Sequence, residues 1–135
     1  MNADISNKIK AMTDDYNDLI AELENYEDAV LNKKPDVNSW SVLQILHHLI
    51  LSEEYALKYV KKKLSFNPKL KNAGLSTRMR IFFLDVYLYL PFKFNAPAAI
   101  NSENLPETSS LAEIKKKYPT VRTESAEFFK AVSDE

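Results

Sequence analysis

The sequence of 135 residues contains no cysteine, one glycine and two histidines. Without cysteine the chain cannot form a disulfide, a cysteine-ligated zinc or iron–sulfur site, or a thiol nucleophile. A single glycine excludes a Rossmann fingerprint and a P-loop, which both need several, and it disfavours a turn-rich β-sandwich. These absences favour a helical domain whose most unusual potential ligands are His47 and His48.

Net charge and long apolar runs are also lacking. The 18 basic and 19 acidic side chains leave a net charge of −1, which gives no overall electrostatic reason to bind nucleic acid. Residues 58–80 are basic, but we interpret them as a solvated surface. The apolar run 81–90 is too short for a membrane span of about 20 residues, and the N-terminus is no signal peptide. We therefore expect a cytoplasmic protein with neither a membrane nor a nucleic-acid partner.

Four segments have helical periodicity, and together they predict one all-α domain over residues 1–135. The predicted helices cover about 4–31, 41–64, 76–90 and 110–132. Ser41 and Gln44 have the spacing of a capping box at the start of the second helix, and Ser110 and Glu113 repeat it before the last. Pro119 is expected to kink or interrupt that last helix. The third helix is supported least, because its aromatic residues would also suit a strand.

The two histidines do not form a recognisable metal motif by themselves. A ferritin-like di-iron site needs a glutamate three residues before each histidine, but here those positions hold Gln44 and Ile45. His47 and His48 point about 100° apart on a helix, so they cannot chelate one ion together. From its position on the helix alone, each histidine is expected on a flank of the apolar stripe. It would be a boundary residue, with one ring nitrogen hydrogen-bonded within the protein and the other hydrated.

The segment 35–53 resembles the signature of the DinB/YfiT-like superfamily. Trp40 and Ser41 open the predicted second helix, the pair His48-Leu49 follows, and Glu53 lies a little over one turn later. Weaker similarity extends to a Lys-Phe-Asn-Ala-Pro segment at 93–97 and to the last predicted helix. The resemblance implies a four-helix bundle, ordered up-down-down-up, with a long crossover between its second and third long helices.

The resemblance also implies a divalent metal, Zn or Ni, held by three histidines. One ligand lies on the second helix, where His48 matches it, and the others form a His-x-x-x-His pair on the final helix. Such a triad leaves coordination positions open for water or substrate. Glu53 would orient His48, and pocket candidates on or near the same flank are Ser52, Tyr55 and Tyr59. No residue can be assigned as catalytic from the sequence.

The sequence departs from this pattern because no histidine follows His48. Two explanations stay open: the chain is a fragment truncated before the final helix, or it is a short member without the metal site. Three long amphipathic helices would expose an apolar groove, which soluble monomers generally avoid. We therefore expect a fourth helix or a partner subunit to cover the groove, and we predict a homodimer.

Two functions follow from these expectations. The first is a metal-dependent enzyme, a thiol transferase or hydrolase, whose partner is a small-molecule substrate or thiol. The alternative is a non-catalytic helical protein with an incomplete metal site, which binds a small apolar ligand or a second copy of itself in the groove.

Overall fold

The structure is a computed structural model that describes residues 3–69, 74–89 and 104–132. Five helices occur in these ranges: α1 Ala3–Leu23, α2 Asp28–Leu31, α3 Val42–Leu64, α4 Leu75–Tyr89 and α5 Leu111–Val132. The described ranges contain no strand, which confirms the all-α prediction. Within them, every helix is too short or too polar to cross a membrane.

The core lies where α5 packs against α3 and α1. Its apolar side chains come from the periodic positions of these helices and from Leu31 of α2. Ile114 of α5 is fully buried and Leu43 of α3 is 1% exposed. Burying one such side chain contributes about 1.5–3 kcal/mol. The remaining buried members are Ile20, Leu23, Leu46, Ile50, Leu111, Tyr118 and Val121.

The helix predicted over 4–31 is interrupted. α1 ends at Leu23, and a separate turn of helix, α2, begins at Asp28. Tyr26 and Val30 continue the apolar spacing of α1, yet they are 51% and 54% exposed. At this break, Asp28 forms a hydrogen bond to α5: its Oδ1 accepts from the backbone N–H of Leu111, 2.9 Å away. An aspartate there satisfies a free donor at the start of α5.

The capping box at the start of α3 is confirmed. Ser41 Oγ accepts from the Gln44 N–H at 3.2 Å, and Gln44 Oε1 accepts from the Ser41 N–H at 3.1 Å. Both side chains are buried. Gln44 Nε2 also donates to the carbonyl oxygen of Pro106 at 3.2 Å, so the cap of α3 holds the segment that leads into α5.

Only half of the second expected capping box forms. Ser110 Oγ accepts from the Glu113 N–H at 3.2 Å. The Glu113 carboxylate instead accepts from Ser109 Oγ at 2.6 Å. Pro119 was expected to kink or interrupt the last helix, and it does not interrupt it, because α5 continues through it to Val132, in agreement with the range predicted for that helix. Pro119 is exposed, so water can hydrate the carbonyl that lacks its usual partner.

Helix α4 differs from the others because none of its described side chains is buried. The large apolar ones are all more than 40% exposed: Leu75, Met79, Ile81, Phe82, Phe83, Leu84 and Val86. Residues 90–103 lie outside the described residues, and so does the segment 93–97 that supported the resemblance.

Candidate functional site

Helices α1, α3 and α5 enclose a cleft with a volume of about 600 Å³. We call it the α1–α3–α5 cleft. Its walls are mainly apolar: Met12 and Leu19 from α1, Leu49 and Leu57 from α3, and Phe129 from α5. Small-molecule sites have volumes of about 300–1,000 Å³ and similar apolar walls with a few placed polar groups.

The main polar feature of the cleft is an ion pair between two helices. Arg122 Nη2 on α5 lies 3.0 Å from Glu53 Oε2 on α3. The side chains are only 11% and 17% exposed, so the guanidinium and the carboxylate compensate each other in a largely dry setting. Nη2 also donates to the Tyr118 hydroxyl, and Nη1 lies 3.8 Å from Met12 Sδ. Three neighbours thus fix the orientation of the guanidinium.

Two polar atoms at this end of the cleft have no hydrogen-bond partner in the part of the chain that the structure describes. They are Arg122 Nε and Ser125 Oγ. Both residues line the cleft, and they are 9% and 5% exposed. A buried donor without an acceptor is uncommon and costs about 1–3 kcal/mol. Arg122 and Ser125 are three residues apart on α5, a spacing that puts them on one face.

A pair of stacked tyrosines forms the adjoining wall. The rings of Tyr16 on α1 and Tyr118 on α5 lie 3.5 Å apart between centroids and are inclined by 12°. Burial raises the pKa of Tyr16 to about 12, and the neighbouring Tyr118 adds to the shift. The Tyr16 phenol therefore stays protonated at neutral pH, and it donates to the Ile114 carbonyl at 3.4 Å.

Of the residues predicted as a metal or pocket site, Ser52 and Glu53 line the cleft. His48 is absent from the described lining, and its ring lies 4.8 Å from that of Trp40, inclined by 49°. Ser52 Oγ donates to the backbone carbonyl of His48 at 2.7 Å, so its hydroxyl supports α3 locally. Glu53, expected to orient His48, is instead paired with Arg122.

Tyr55 and Tyr59, the other predicted pocket residues, lie outside the described lining of the cleft. They are 42% and 63% exposed. Each ring has a lysine of the same helix over it: Lys58 Nζ is 5.4 Å from the Tyr55 centroid, and Lys63 Nζ is 5.4 Å from that of Tyr59. The structure thus places both on the outer surface of α3.

The expectation that His47 is a boundary residue was wrong, because it is only 5% exposed. Its Nε2 lies 2.7 Å from Ser109 Oγ, which is 2.6 Å from Glu113 Oε2. The Ser109 hydroxyl holds the pKa of Glu113 below its ordinary value, so this carboxylate is ionised and only accepts. Ser109 therefore donates to Glu113, and His47 donates to Ser109 through the hydrogen on its Nε2.

Burial lowers the pKa of His47, and the nearby Lys117 lowers it further, while Glu113 acts in the opposite direction. His47 is therefore neutral at pH 7. The His47–Ser109–Glu113 chain joins α3 to the start of α5, and the polar residues of the cleft form a separate group.

A family profile of the DinB superfamily matches residues 11–135. The chain belongs to the DinB superfamily. The matched range includes α2 to α5 and most of α1, so the resemblance inferred from the segment 35–53 is confirmed. No curated protein and no solved structure gives a significant match. Membership alone does not assign a reaction to this DinB-superfamily protein.

The described residues do not fit the three-ligand metal site that the resemblance implies for a DinB-superfamily protein. They contain no group of three or more histidine, cysteine, aspartate or glutamate side chains that could hold an ion. Glu53, the predicted partner of His48, already neutralises Arg122. The assignment of His48 as a metal ligand stays a prediction.

Arg122 is not among the site residues predicted from the sequence, although the sequence contains a signal for it. Arg122 is four residues after Tyr118 and three before Ser125, so a charge lies within the apolar stripe of α5. Glu53 interrupts the stripe of α3 in the same way, three residues after Ile50 and four before Leu57. Opposite charges on two apolar stripes are a sign of a buried pair.

Proposed function

We propose that this DinB-superfamily protein binds a small, largely apolar molecule in the α1–α3–α5 cleft. The observation that carries the proposal is the cleft itself, with about 600 Å³ of space between three helices and a mainly apolar lining. Met12 and Leu49 line it and are 52% and 51% exposed, so they would lose contact with water when a ligand binds.

This is the second of the two functions that the sequence left open, and the geometry supports it better than the first. Metal-dependent thiol transfer or hydrolysis would need further ligands beside His48. The described residues contain no group of three or more histidine, cysteine, aspartate or glutamate side chains that could supply these ligands. The cleft needs no additional group to hold an apolar molecule.

The proposal is tested with N-phenyl-1-naphthylamine, an uncharged dye whose fluorescence rises in apolar sites. Titration into the 135-residue chain is expected to saturate at about one dye per chain, as occupation of the α1–α3–α5 cleft by one molecule predicts. The titration is repeated with EDTA and with His48→Ala, and neither is expected to change the affinity. A loss of binding in both would instead favour a metal centre.

Two matched variants on α3 locate the dye. Leu49 lines the cleft and is 51% exposed, whereas Ile45, one turn earlier, is outside the described lining and is 45% exposed. Leu49→Gln is expected to weaken binding roughly tenfold, because a buried apolar contact of about 1.5 kcal/mol is lost. Ile45→Gln is expected to have no such effect.

A third variant, Phe82→Gln, reports dye that binds to the exposed apolar side chains of α4. It is expected to leave the affinity as it is. Equal losses for Leu49→Gln and Ile45→Gln, or a loss confined to Phe82→Gln, would refute binding in the cleft.

A further inference from the structure

We infer that the α1–α3–α5 cleft selects an apolar amine, whose carbon skeleton lies in the cleft and whose ammonium group pairs with Asp15 at the rim. This inference rests on the proposed function, since it names the ligand class that the same cleft takes.

The charges of the lining indicate the sign of the ligand. The charged side chains that line the cleft are Asp15, Glu53 and Arg122. Glu53 and Arg122 compensate each other, because Arg122 Nη2 lies 3.0 Å from Glu53 Oε2. The Asp15 carboxylate has no hydrogen bond or ion pair within the described part of the chain. Two acidic groups against one basic group thus leave one negative charge, on a side chain that can accept a cation.

Asp15 lies at the rim of the cleft, where a ligand can reach it. It follows Met12 by three residues and precedes Leu19 by four, so all three are on the side of α1 that lines the cleft. Asp15 is exposed, as are Met12 and Leu19. An ammonium group beside Asp15 keeps part of its hydration, so the pair avoids most of the cost of burying a charge.

The surface around this rim favours a cation over an anion. Residues 11–31, which include the C-terminal half of α1, contain seven acidic and no basic side chains. Two of the seven are compensated: Asp14 pairs with Lys10, and Glu24 pairs with Lys115. The other five have no ion pair among the described residues. The summed charge therefore attracts an ammonium ion to this end of the cleft and repels a carboxylate.

Three probes with one apolar body and different head groups test the inference. They are 4-phenylbutylamine, an ammonium ion at neutral pH, 4-phenyl-1-butanol, which is neutral, and 4-phenylbutanoate, an anion. Each is titrated at low salt into the chain labelled with ¹³C and ¹⁵N, and dissociation constants are taken from NMR shift changes. The amine is expected to bind about threefold more tightly than the alcohol, as an exposed ion pair predicts. The anion is expected to bind most weakly.

Salt and the signal of the carboxylate report the ion pair directly. Sodium chloride at about 0.5 M is expected to remove the preference for the amine, because it screens exposed charges. The side-chain carboxyl carbon of Asp15 is expected to shift more with the amine than with the alcohol. Neither measurement requires a variant.

Matched variants on α1 locate the ammonium group. Asp15→Asn keeps the shape of the side chain and removes its charge, so it is expected to remove the preference for the amine over the alcohol. Asp18→Asn makes the same change of net charge at an exposed position outside the described lining. It is expected to keep the preference. The affinity for the alcohol is expected to stay the same in both variants.

The outcomes separate the two proposals. If none of the three probes binds saturably, both the proposed function and this inference fail. If the alcohol binds as tightly as the amine at low salt, or if Asp15→Asn keeps the preference, the cleft binds apolar molecules and the amine inference alone is overturned. Equal losses of the preference in Asp15→Asn and Asp18→Asn would also overturn it, because the acidic surface as a whole would then attract the cation.

Discussion

The side chain of Asn32 and the backbone of Ser109, 77 residues apart, form two reciprocal hydrogen bonds. Asn32 Nδ2 donates to the Ser109 carbonyl at 2.8 Å, and the Ser109 N–H donates to Asn32 Oδ1 at 3.0 Å. Together with the bond from Leu111 N–H to Asp28, they attach the start of α5 to α2. The orientation of the helix that carries Arg122 therefore depends on a contact far away in the chain.

Asn32→Asp is expected to destabilise the protein by about 1–3 kcal/mol, because it removes the donor and places an oxygen against the Ser109 carbonyl. Urea denaturation followed by circular dichroism measures the change, and hydrogen exchange of the Ser109 amide shows where it acts. Asn25→Asp is the control, since the Asn25 side chain is exposed and bonds only to nearby carbonyls in the described chain. Equal losses in the two variants would contradict a special role for Asn32.

His47 is expected to make stability depend on pH below its ordinary pKa of 6.5. Its pKa is lowered in the folded chain, so the unfolded chain binds the proton first as the pH falls. The contribution of the neutral imidazole to the free energy of unfolding is complete above about pH 6.5. It is lost as the pH falls from there toward the pKa of His47 in the folded chain.

The measurement is the urea midpoint at several values between about pH 5 and 7.5, where an unperturbed histidine titrates. His47→Gln is expected to be less stable at pH 7 and to show a smaller loss on acidification. Parallel pH curves for the two proteins would disprove the assignment.

Tyr16 is expected to ionise later than an ordinary tyrosine, because burial raises its pKa from 10.0 to about 12. Absorbance of the tyrosinate at alkaline pH measures this. The original chain and Tyr16→Phe are expected to differ in tyrosinate absorbance only above about pH 11. A difference in absorbance already at pH 10 would contradict the raised pKa of Tyr16. Since the folded pKa is raised, this contribution to stability is complete below pH 10 and is lost as the pH rises toward 12.

The ion pair between Glu53 and Arg122 is expected to matter most when one partner is removed. Glu53→Ala leaves a largely buried cation, and we expect a loss of about 2–4 kcal/mol, with residual exposure placing it toward the lower end. Glu54→Ala, its neighbour on α3, is the control and is expected to cost much less. The double variant Glu53→Leu/Arg122→Met is expected to recover most of the stability, because apolar side chains suit the lining. If the double variant does not recover this stability, the ion pair itself is required for the fold.

The sequence predicts the parts of the fold that depend on neighbouring residues. Ser41 and Gln44 are three positions apart, so their capping box follows from local spacing alone. The end of α1 could not be found in this way, because Tyr26 and Val30 extend the apolar pattern beyond it. The break is associated with a bond from Asp28 to α5, which no local pattern contains.

The candidate site shows the same division. Glu53 was selected from its distance to His48 along one helix, but its partner is Arg122 on another helix. Such a pair depends on how α3 and α5 are rotated against each other, which a single sequence does not specify. The charge of Arg122 within an apolar stripe was the available signal. Its unpartnered Nε becomes visible only when its other donors are assigned.

Pro119 offers a test of how strongly packing supports α5. The helix continues through this proline although its position has no N–H to donate to the carbonyl four residues earlier. Pro119→Ala restores that donor at an exposed position and is expected to stabilise the protein by up to about 3 kcal/mol, measured by urea denaturation. Pro106→Ala is the control, because Pro106 lies outside the helices and the change mainly gives the unfolded chain more freedom. It is expected to be neutral or destabilising. A loss of stability in Pro119→Ala would show that the proline ring itself is needed where it lies.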